Sequence, residues 1–182
     1  MAKLYLVRHG RAAAGFAEAA DPGLDPVGRE QAEAMAARLA PLRLPGLLTS
    51  PLRRTRETAA PLERHWQRQA VIEPRVAEIP SPTADLAARG RWLKVLMAGG
   101  WGDGGTAVLA WRDGVIASLV ALGEDSVVVS HFIAINAAVG AATGDERVVC
   151  FRPDNCSCTL VENEGGVLRL IERGIEAPTP VG

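Results

Sequence analysis

A short apolar run near the N-terminus ends abruptly on three residues of different chemistry, Arg8, His9 and Gly10. The run itself, residues 3–7, is rich in aliphatic and aromatic side chains and predicts a buried strand. A strand that stops on arginine and histidine places a cation and an imidazole at the carboxyl edge of a sheet, where open α/β folds bind their ligands. Gly10 lets the backbone turn sharply and come close to whatever lies at that edge.

Strand-like runs recur along the chain and alternate with helical patterns. The strand-like runs cover 3–8, 46–49, 70–73, 126–130, 156–161 and 167–172. The helical patterns cover 25–39, 52–66, 107–122 and the stretch that follows His131 directly and continues to 142. Because parallel strands need crossover helices that pack on the faces of the sheet, we expect an α/β fold. Its predicted form is a three-layer α/β/α sandwich with a mostly parallel central sheet.

Length and charge restrict the function classes. The 182 residues suit one domain over 1–182, and two full domains would be cramped. A net charge of −1 gives no chain-wide attraction to nucleic acid or to an anionic membrane. No apolar run reaches the length that spans a bilayer, and the first residues lack the core of a signal peptide. We therefore expect a cytoplasmic protein that binds neither nucleic acid nor membrane, and the sequence leaves its oligomeric state open.

The cysteines do not form a disulfide framework or an obvious metal site. Cys150, Cys156 and Cys158 are odd in number, which is typical of reduced structural thiols. His65 and His131 lie far from them in sequence, so the spacing does not match a zinc motif. We therefore predict no metal.

Residues 74–105 are rich in proline, glycine and basic side chains, and we interpret them as an excursion from the sheet that lies near the functional site. Trp92 and Trp101 in this segment either line a pocket or pack in the core, which is the commoner place for an aromatic side chain. Five basic residues either bind a second anionic group or are ordinary surface charge: Arg11, Arg75, Arg89, Arg91 and Lys94. The proline-containing tail from Gly174 is expected to be loosely ordered.

Polar and charged side chains follow four of the strand-like runs. Arg8 and His9 follow the first run, Arg54 lies at the start of the helix after the second, Glu78 follows the third, and His131 follows the fourth. In a parallel sheet these positions meet at one edge. Arginine offers planar paired donors to phosphate oxygens, and a helix N-terminus adds free N–H groups. The set therefore favours binding of a phosphoryl group.

These residues resemble the motifs of the histidine phosphatase superfamily, also called phosphoglycerate-mutase-like, in its phosphatase branch. The family begins with a strand ending in Arg-His-Gly, continues with Ser-x-Leu-x-Arg-x-x-x-Thr-Ala, and carries a later histidine after an apolar strand and a serine. The matching residues are Arg8, His9 and Gly10, then Ser50, Leu52, Arg54, Thr58 and Ala59, then Ser130 and His131.

The resemblance implies a phosphatase that uses neither metal nor other cofactor. It implies that His9 attacks phosphorus and is transiently phosphorylated, while Arg8, Arg54 and His131 hold the phosphoryl oxygens. By its position Glu78 is the candidate general acid. For this chemistry His9 must be neutral with its second nitrogen donating to a carbonyl, Glu78 must be protonated, and we expect a protonated imidazole on the second histidine.

Two of these assignments have competitors in the sequence. An arginine run usually marks a solvated helix face, and Arg53 is the main substitute for Arg54. A lone acid in a loop is more often solvated than catalytic, and Glu73 and Asp85 lie near Glu78.

Four positions depart from the family pattern: Arg11, where glutamate is common, Gly15, where related enzymes have asparagine, Phe132, where glycine is common, and Asn136, where arginine is frequent. We expect Phe132 to narrow the pocket wall. The predicted substrate-binding residues are Arg8, Gly10, Arg11, Arg54 and Phe132.

The sequence therefore predicts a metal-independent phosphomonoesterase acting on a small phosphorylated molecule. The departures at Gly15 and Phe132 leave open a protein that binds phosphorylated ligands with little turnover. A phosphohistidine-protein phosphatase and a phosphoglycerate mutase are less favoured, the mutase because those enzymes carry a longer insertion.

Overall fold

The computed structural model describes residues 1–15 and 18–178, and in that part of the chain six strands form one sheet. The strands are Ala2–Arg8 (β1), Gly46–Thr49 (β2), Val71–Ile72 (β3), Ser126–Ser130 (β4), Cys158–Glu164 (β5) and Val167–Glu172 (β6). Their order is β3-β2-β4-β1-β5-β6. The four strands from β3 to β1 are mutually parallel, β6 has the same direction, and β5 alone runs opposite to the other five. The predicted mostly parallel sheet is confirmed.

Helices cover both faces of the sheet, which confirms the three-layer α/β/α sandwich. They are Pro26–Leu39 (α1), Arg53–Trp66 (α2), Leu86–Ala98 (α3), Gly105–Val120 (α4) and Phe132–Thr143 (α5). Side chains of β1 alternate between two buried clusters: Leu4 and Leu6 pack with α3, α4 and α5, and Val7 packs with α1 and α2. Because successive side chains of a strand point to opposite faces, this one apolar run contributes to the cores on both sides of the sheet.

The first helix shows how the chain pins the loop after β1. Asp25 accepts a hydrogen bond from the backbone N–H of Gly28, and Pro26 occupies the first turn, as the sequence predicts. A Cβ added to Gly10 would lie 2.5 Å from the Gly28 carbonyl oxygen, and one added to Gly28 would overlap the Arg11 carbonyl oxygen. The glycines therefore allow loop and helix to touch, so the close approach predicted for Gly10 is made to α1.

The strand β4 and the helix α5 form the centre of the molecule. Val127, Val128 and Val129 are fully buried, and α5 is buried from Phe132 through Gly140. Within α5 the amide of Asn136 accepts hydrogen bonds from the N–H groups of Cys150 and Phe151 at 2.9 and 3.1 Å, and it donates to the Phe132 carbonyl at 2.9 Å. Asn136 thus links α5 through buried hydrogen bonds to the segment that follows residue 149.

The excursion at 74–105 contains two 3-10 turns, Pro74–Val76 and Trp101–Gly104, and the helix α3, which the sequence did not resolve. Trp101 is fully buried in the core and Trp92 packs partly buried against it, so the structure places both in the core.

Several element boundaries differ from the sequence-based expectation, as for α4, which covers Gly105–Val120 rather than 107–122, and one of them has a backbone cause. Strand β5 begins at Cys158 rather than at 156, since Cys156 has a left-handed φ of 54° that interrupts the extended chain. The expectation of a loose tail is wrong for residues 175–177. The N–H of Asp154 donates to the Ile175 carbonyl at 2.8 Å, and the N–H of Ala177 donates to the Arg152 carbonyl at 2.8 Å. Residues 179–182 lie outside the described residues.

Among the residues that the structure describes, no helix combines the length and the apolar character needed to cross a bilayer.

Candidate active site

Sheet register brings the two motif histidines together. Arg8 of β1 is paired with Ser130 of β4, so the next residue of each strand, His9 and His131, emerges at the same edge. Their ring centroids are 5.2 Å apart. Arg54, in the first turn of α2, donates from Nε to His9 Nε2 at 3.2 Å. The predicted convergence of these residues is therefore present in the structure.

A cavity of about 610 Å³ opens onto this cluster. Arg8, His9 and Arg54 line its wall. His131 is fully buried and lies in the cluster without reaching that wall. The cavity is thus bounded on one side by cations and an imidazole.

His9 is held as a neutral imidazole whose Nε2 lone pair accepts a hydrogen bond from Arg54 Nε at 3.2 Å. Its Nδ1 lies 2.8 Å from the Gly10 carbonyl oxygen, which only accepts, so Nδ1 carries the hydrogen and donates. Burial and the neighbouring Arg54 and Arg8 guanidinium groups hold the pKa of His9 well below its usual value. The lone pair is therefore on Nε2. The carbonyl of His9 accepts from the Asn155 side chain at 2.9 Å, which fixes the backbone at this point.

His131 is held in the same tautomer by a serine. The Oγ of the fully buried Ser50 lies 2.7 Å from His131 Nε2 and accepts from the Leu52 N–H at 3.2 Å. Among the described residues the hydroxyl hydrogen has His131 Nε2 as its acceptor, because a buried hydroxyl donates wherever an acceptor is in reach. The hydrogen of His131 is then on Nδ1.

This site makes His131 neutral in the free protein. Burial lowers its pKa well below the usual value, and the charges of Arg54 and Arg8 lower it further. In the unliganded protein the lowered pKa therefore favours His131 as a neutral donor from Nδ1, and the protonated imidazole expected during catalysis stays a prediction.

The two arginines are buried and remain charged. Arg8 donates from Nη1 to the Pro153 carbonyl at 2.9 Å, and its guanidinium lies 5.2 Å from the centre of the Phe132 ring. Burial lowers the pKa of Arg8 to about 10, which still leaves it protonated near neutral pH. Burial also lowers the pKa of Arg54. The guanidinium groups supply the positive charge of the site.

Three buried donors in this cluster have no acceptor among the described residues. They are Nε of Arg8, Nη2 of Arg54 and Nδ1 of His131. A buried donor without an acceptor costs about 1–3 kcal/mol. Donors of this kind pair with the oxygens of an anion, and two of the three belong to residues that line the cavity, Arg8 and Arg54.

Glu78 is a buried acid close enough to Arg54 and Arg8 for their charges to act on it. It is 5% exposed, its Oε1 accepts from the Ile79 N–H at 3.1 Å, and its Oε2 accepts from the Ile133 N–H of α5 at 3.4 Å. Ser130 donates to the Val76 carbonyl at 2.7 Å and ties this loop to β4. Burial raises the pKa of Glu78, and the charges of Arg54 and then Arg8 oppose that rise. The carboxyl group is thus biased towards its protonated form.

The competing candidates are engaged elsewhere. Glu73 is paired with Arg75 at 2.7 Å on the surface, and Asp85 caps α3 by accepting from the Ala88 N–H at 2.7 Å. Arg53 is 63% exposed and paired with Glu57 at 2.7 Å. Of the alternatives, Arg54 contacts His9, and Glu78 is the acid whose charge acts on Arg54 and Arg8.

The remaining predicted substrate contacts divide between the cavity and the core. Arg11 lines the cavity but is 55% exposed and paired with Asp25 at 2.5 Å. The N–H of Gly10 donates to Thr58 Oγ1 at 3.0 Å, so it is already used within the protein. Phe132 is 1% exposed. Its ring packs beneath Arg8 and does not narrow the cavity, so the predicted contact with substrate is corrected to support of a guanidinium.

Residues 153–157 contact Arg8 and His9 and carry no motif that the sequence analysis used. Besides the Pro153 carbonyl and the Asn155 amide, the Cys156 N–H donates to the Arg8 carbonyl at 2.9 Å, and the Arg8 N–H donates to the Ser157 carbonyl at 3.2 Å. Most of these contacts use backbone atoms, which leave no side-chain signal. Among the described residues no group of three or more metal-ligating side chains is assembled.

The family comparison identifies the chain by most of its length. Residues 4–175 match the model of the histidine phosphatase superfamily (branch 1). A comparison with curated protein sequences finds no match.

Solved structures with the same fold include several phosphatases. One is phosphoserine phosphatase from Entamoeba histolytica in complex with 3-phosphoglyceric acid, at 22% identity and TM-score 0.75, covering 96% of this chain and 98% of that one. A second is mycobacterial glucosyl-3-phosphoglycerate phosphatase, at 23% identity and TM-score 0.72, covering 95% and 98%. A third is a putative α-ribazole-5′-P phosphatase from Escherichia coli, at 20% identity and TM-score 0.74, covering 99% of each chain. At these identities the likeness shows the fold.

Proposed function

The chain belongs to the histidine phosphatase superfamily, in the class of phosphoric monoester hydrolases, and from that premise we propose that it hydrolyses a phosphomonoester through a phosphohistidine on His9. The observation that carries the proposal is the state of His9. Its Nδ1–H is engaged by a backbone carbonyl at 2.8 Å, and its pKa is held low by burial and by Arg54 and Arg8. Both effects leave Nε2 with a lone pair at neutral pH, which is what an attacking imidazole requires. Arg54 Nε donates to this lone pair at 3.2 Å in the free protein, so that hydrogen bond breaks before Nε2 attacks.

In the first step His9 Nε2 attacks phosphorus and the bond from phosphorus to the leaving oxygen breaks. The three unpartnered donors of Arg8, Arg54 and His131 match in number the three non-bridging oxygens of the phosphoryl group. Phosphoryl transfer depends chiefly on positioning and on offsetting charge on those oxygens. Glu78, whose pKa is raised by burial, gives its proton to the leaving oxygen.

In the second step water attacks the phosphohistidine. Glu78, now a carboxylate, takes a proton from that water, and the bond between phosphorus and Nε2 breaks. Inorganic phosphate leaves, and His9 and Glu78 return to their starting protonation states. The guanidinium charges of Arg8 and Arg54 serve both steps, so the proposal needs no metal.

We further propose that the substrate is a small molecule. A cavity of about 610 Å³ exceeds what a phosphoryl group alone fills and suits a metabolite-sized leaving group. Two structures with the same fold are named for such substrates, phosphoserine and glucosyl-3-phosphoglycerate.

The competing hypothesis is a phospho-ligand-binding protein with little turnover. A binding protein needs neither a lone pair on His9 Nε2 nor a carboxyl group whose pKa is raised by burial. Burial of Glu78 costs free energy because it disfavours the charged form of the acid, and buried acids of this kind are typical of functional sites. Both features therefore favour the enzyme.

Steady-state hydrolysis of p-nitrophenyl phosphate in EDTA tests the proposal. We expect activity in the wild type and a loss of about 10⁴-fold or more in His9→Ala, since a whole covalent route disappears. His65→Ala is the matched control, because His65 lies exposed at the end of α2. An active wild type with an equally active His9→Ala variant, or no activity in EDTA that Mg²⁺ restores, would contradict the proposal.

A further inference from the structure

The arginines of the cavity differ in how their charge is balanced. Four of them line it among the described residues, and three have an acid nearby. The balanced ones are Arg11, paired with Asp25 at 2.5 Å, Arg54, whose Nη1 lies 3.9 Å from Asp21, and Arg8, on which the charges of Glu78 and Asp154 act. For Arg89 no ion pair is found within the described part of the chain, and its buried Nε has no acceptor there.

The fold directs Arg89 inward. It lies in the first turns of α3, and Leu93 and Leu96, four and seven residues further on, are 2% and 4% exposed in the core. Residues at these spacings share one face of a helix, so Arg89 is on the face of α3 that packs against the domain. Its charge acts on Arg54, since it lowers the pKa of that residue. Arg91, two residues on, is exposed.

The phosphoryl group already has its donors. The unpartnered nitrogens of Arg8, Arg54 and His131 match its three non-bridging oxygens in number. The guanidinium of Arg89, the arginine of this cavity for which the described residues supply no acid partner, is therefore available to a different part of the substrate. The other lining residues leave room for that part, because many are small: Ala12, Ala13, Ala14, Gly15, Ala19 and Ala20.

We propose that Arg89 is a specificity residue that binds a second anionic group on the leaving part of the substrate. The preferred substrates are then phosphomonoesters that also carry a carboxylate or a second phosphate. Guanidinium groups bind both anions with paired, charge-assisted hydrogen bonds. Of the five basic residues considered from the sequence, Arg89 is the one that combines a place on the cavity with an unpaired charge. This inference rests on the proposed phosphatase function for its substrate class.

Three substrates on one carbon skeleton test the proposal. Glycerol 3-phosphate has no second anion, 3-phosphoglycerate has a carboxylate, and glycerol 1,3-bisphosphate has a second phosphate. We expect the wild type to prefer at least one charged substrate over glycerol 3-phosphate by about tenfold or more in kcat/KM, the size expected of one charge-assisted contact. The charged substrate with the higher kcat/KM identifies the anion that Arg89 binds.

The variant Arg89→Ala should bring that preference ratio close to one, and Arg89→Lys should keep part of it because it retains the charge. Arg91→Ala, on the exposed face of the same helix, is the matched control and should leave the ratio unchanged. A wild-type ratio below about tenfold on both charged substrates overturns the proposal. So does an equal loss on all three substrates in Arg89→Ala, which would place Arg89 on the transferred phosphoryl group or in the fold.

The same ratio measured as binding affinity by calorimetry separates the two proposals. If the protein binds 3-phosphoglycerate or the bisphosphate more tightly than glycerol 3-phosphate but hydrolyses none of them, the phosphatase function fails while the role of Arg89 stands. If it hydrolyses p-nitrophenyl phosphate but shows no preference in either measurement, the role of Arg89 fails while the phosphatase function stands.

Discussion

Replacing Ser50 by alanine removes the group that sets the tautomer of His131. Two hydrogen bonds meet at its Oγ, one at 2.7 Å to His131 Nε2 and one at 3.2 Å from the Leu52 N–H. In Ser50→Ala the fully buried His131 and the half-buried Leu52 N–H each lose a bond, which costs about 1–3 kcal/mol of unfolding free energy. His131 can then carry its hydrogen on either nitrogen, so Nδ1 no longer donates reliably to the phosphoryl group.

The loss of one preorganised donor to a developing oxyanion lowers kcat by about 10²–10³-fold. We expect a fall of this size in hydrolysis of p-nitrophenyl phosphate by Ser50→Ala. The matched control is Ser126→Ala at the opposite end of β4, where a buried hydroxyl donates to the Glu124 carbonyl at 2.8 Å. This control should lose stability while its kcat stays near that of the wild type.

The tautomer itself is measured by ¹⁵N NMR of the imidazole. In the wild type the shifts of His131 should report a hydrogen on Nδ1 and a lone pair on Nε2, and in Ser50→Ala they should move towards a mixture. Wild-type kcat in Ser50→Ala, or a hydrogen on Nε2 of His131 in the wild type, would refute the reasoning.

Three simpler predictions concern the burial or the close packing of single residues. Because burial raises the pKa of Glu78, kcat should fall as the pH rises through that raised value, and a Glu78→Gln variant that keeps this limb would exclude Glu78 as the acid. Gly28→Ala should lower the unfolding free energy by about 1–3 kcal/mol, because the new methyl group overlaps the Arg11 carbonyl. Gly114→Ala in α4 is the control, because its Cβ meets nothing within 4 Å, and it should leave the unfolding free energy unchanged or raise it. Urea titration measures both free energies. Burial raises the pKa of Cys156 to about 12, so iodoacetamide should label it only after unfolding, and rapid labelling of the native protein would contradict its placement.

The elements that carry the catalytic motifs were predictable because each has a strong local pattern. Strands β1 and β4 are short apolar runs that end on polar residues, and α1 has both a capping Asp25 and a first-turn Pro26. Once the sheet is parallel, Arg8, His9 and His131 must meet at one edge. Local pattern and topology together therefore predict the cluster.

The parts that were missed depend on contacts between distant residues. The Pro153 carbonyl accepts from Arg8 across 145 residues of sequence, and a backbone carbonyl has the same chemistry in every residue. Asn136 is a departure from a catalytic pattern in the sequence, and in the structure its hydrogen bonds with Cys150 and Phe151 connect α5 to the segment after residue 149. The lowered pKa of His131 follows from its complete burial near two arginines, which no sequence pattern reveals.

The most direct test of the central claim is to trap the phosphorylated enzyme. Wild-type protein mixed with a phosphomonoester in EDTA and quenched within the first turnover should carry one phosphoryl group that is labile in acid and stable in base, and mass spectrometry should locate it on His9. Turnover without any phosphorylated protein, or a phosphoryl group located on His131 or another side chain, would contradict the claim that His9 Nε2 is the nucleophile.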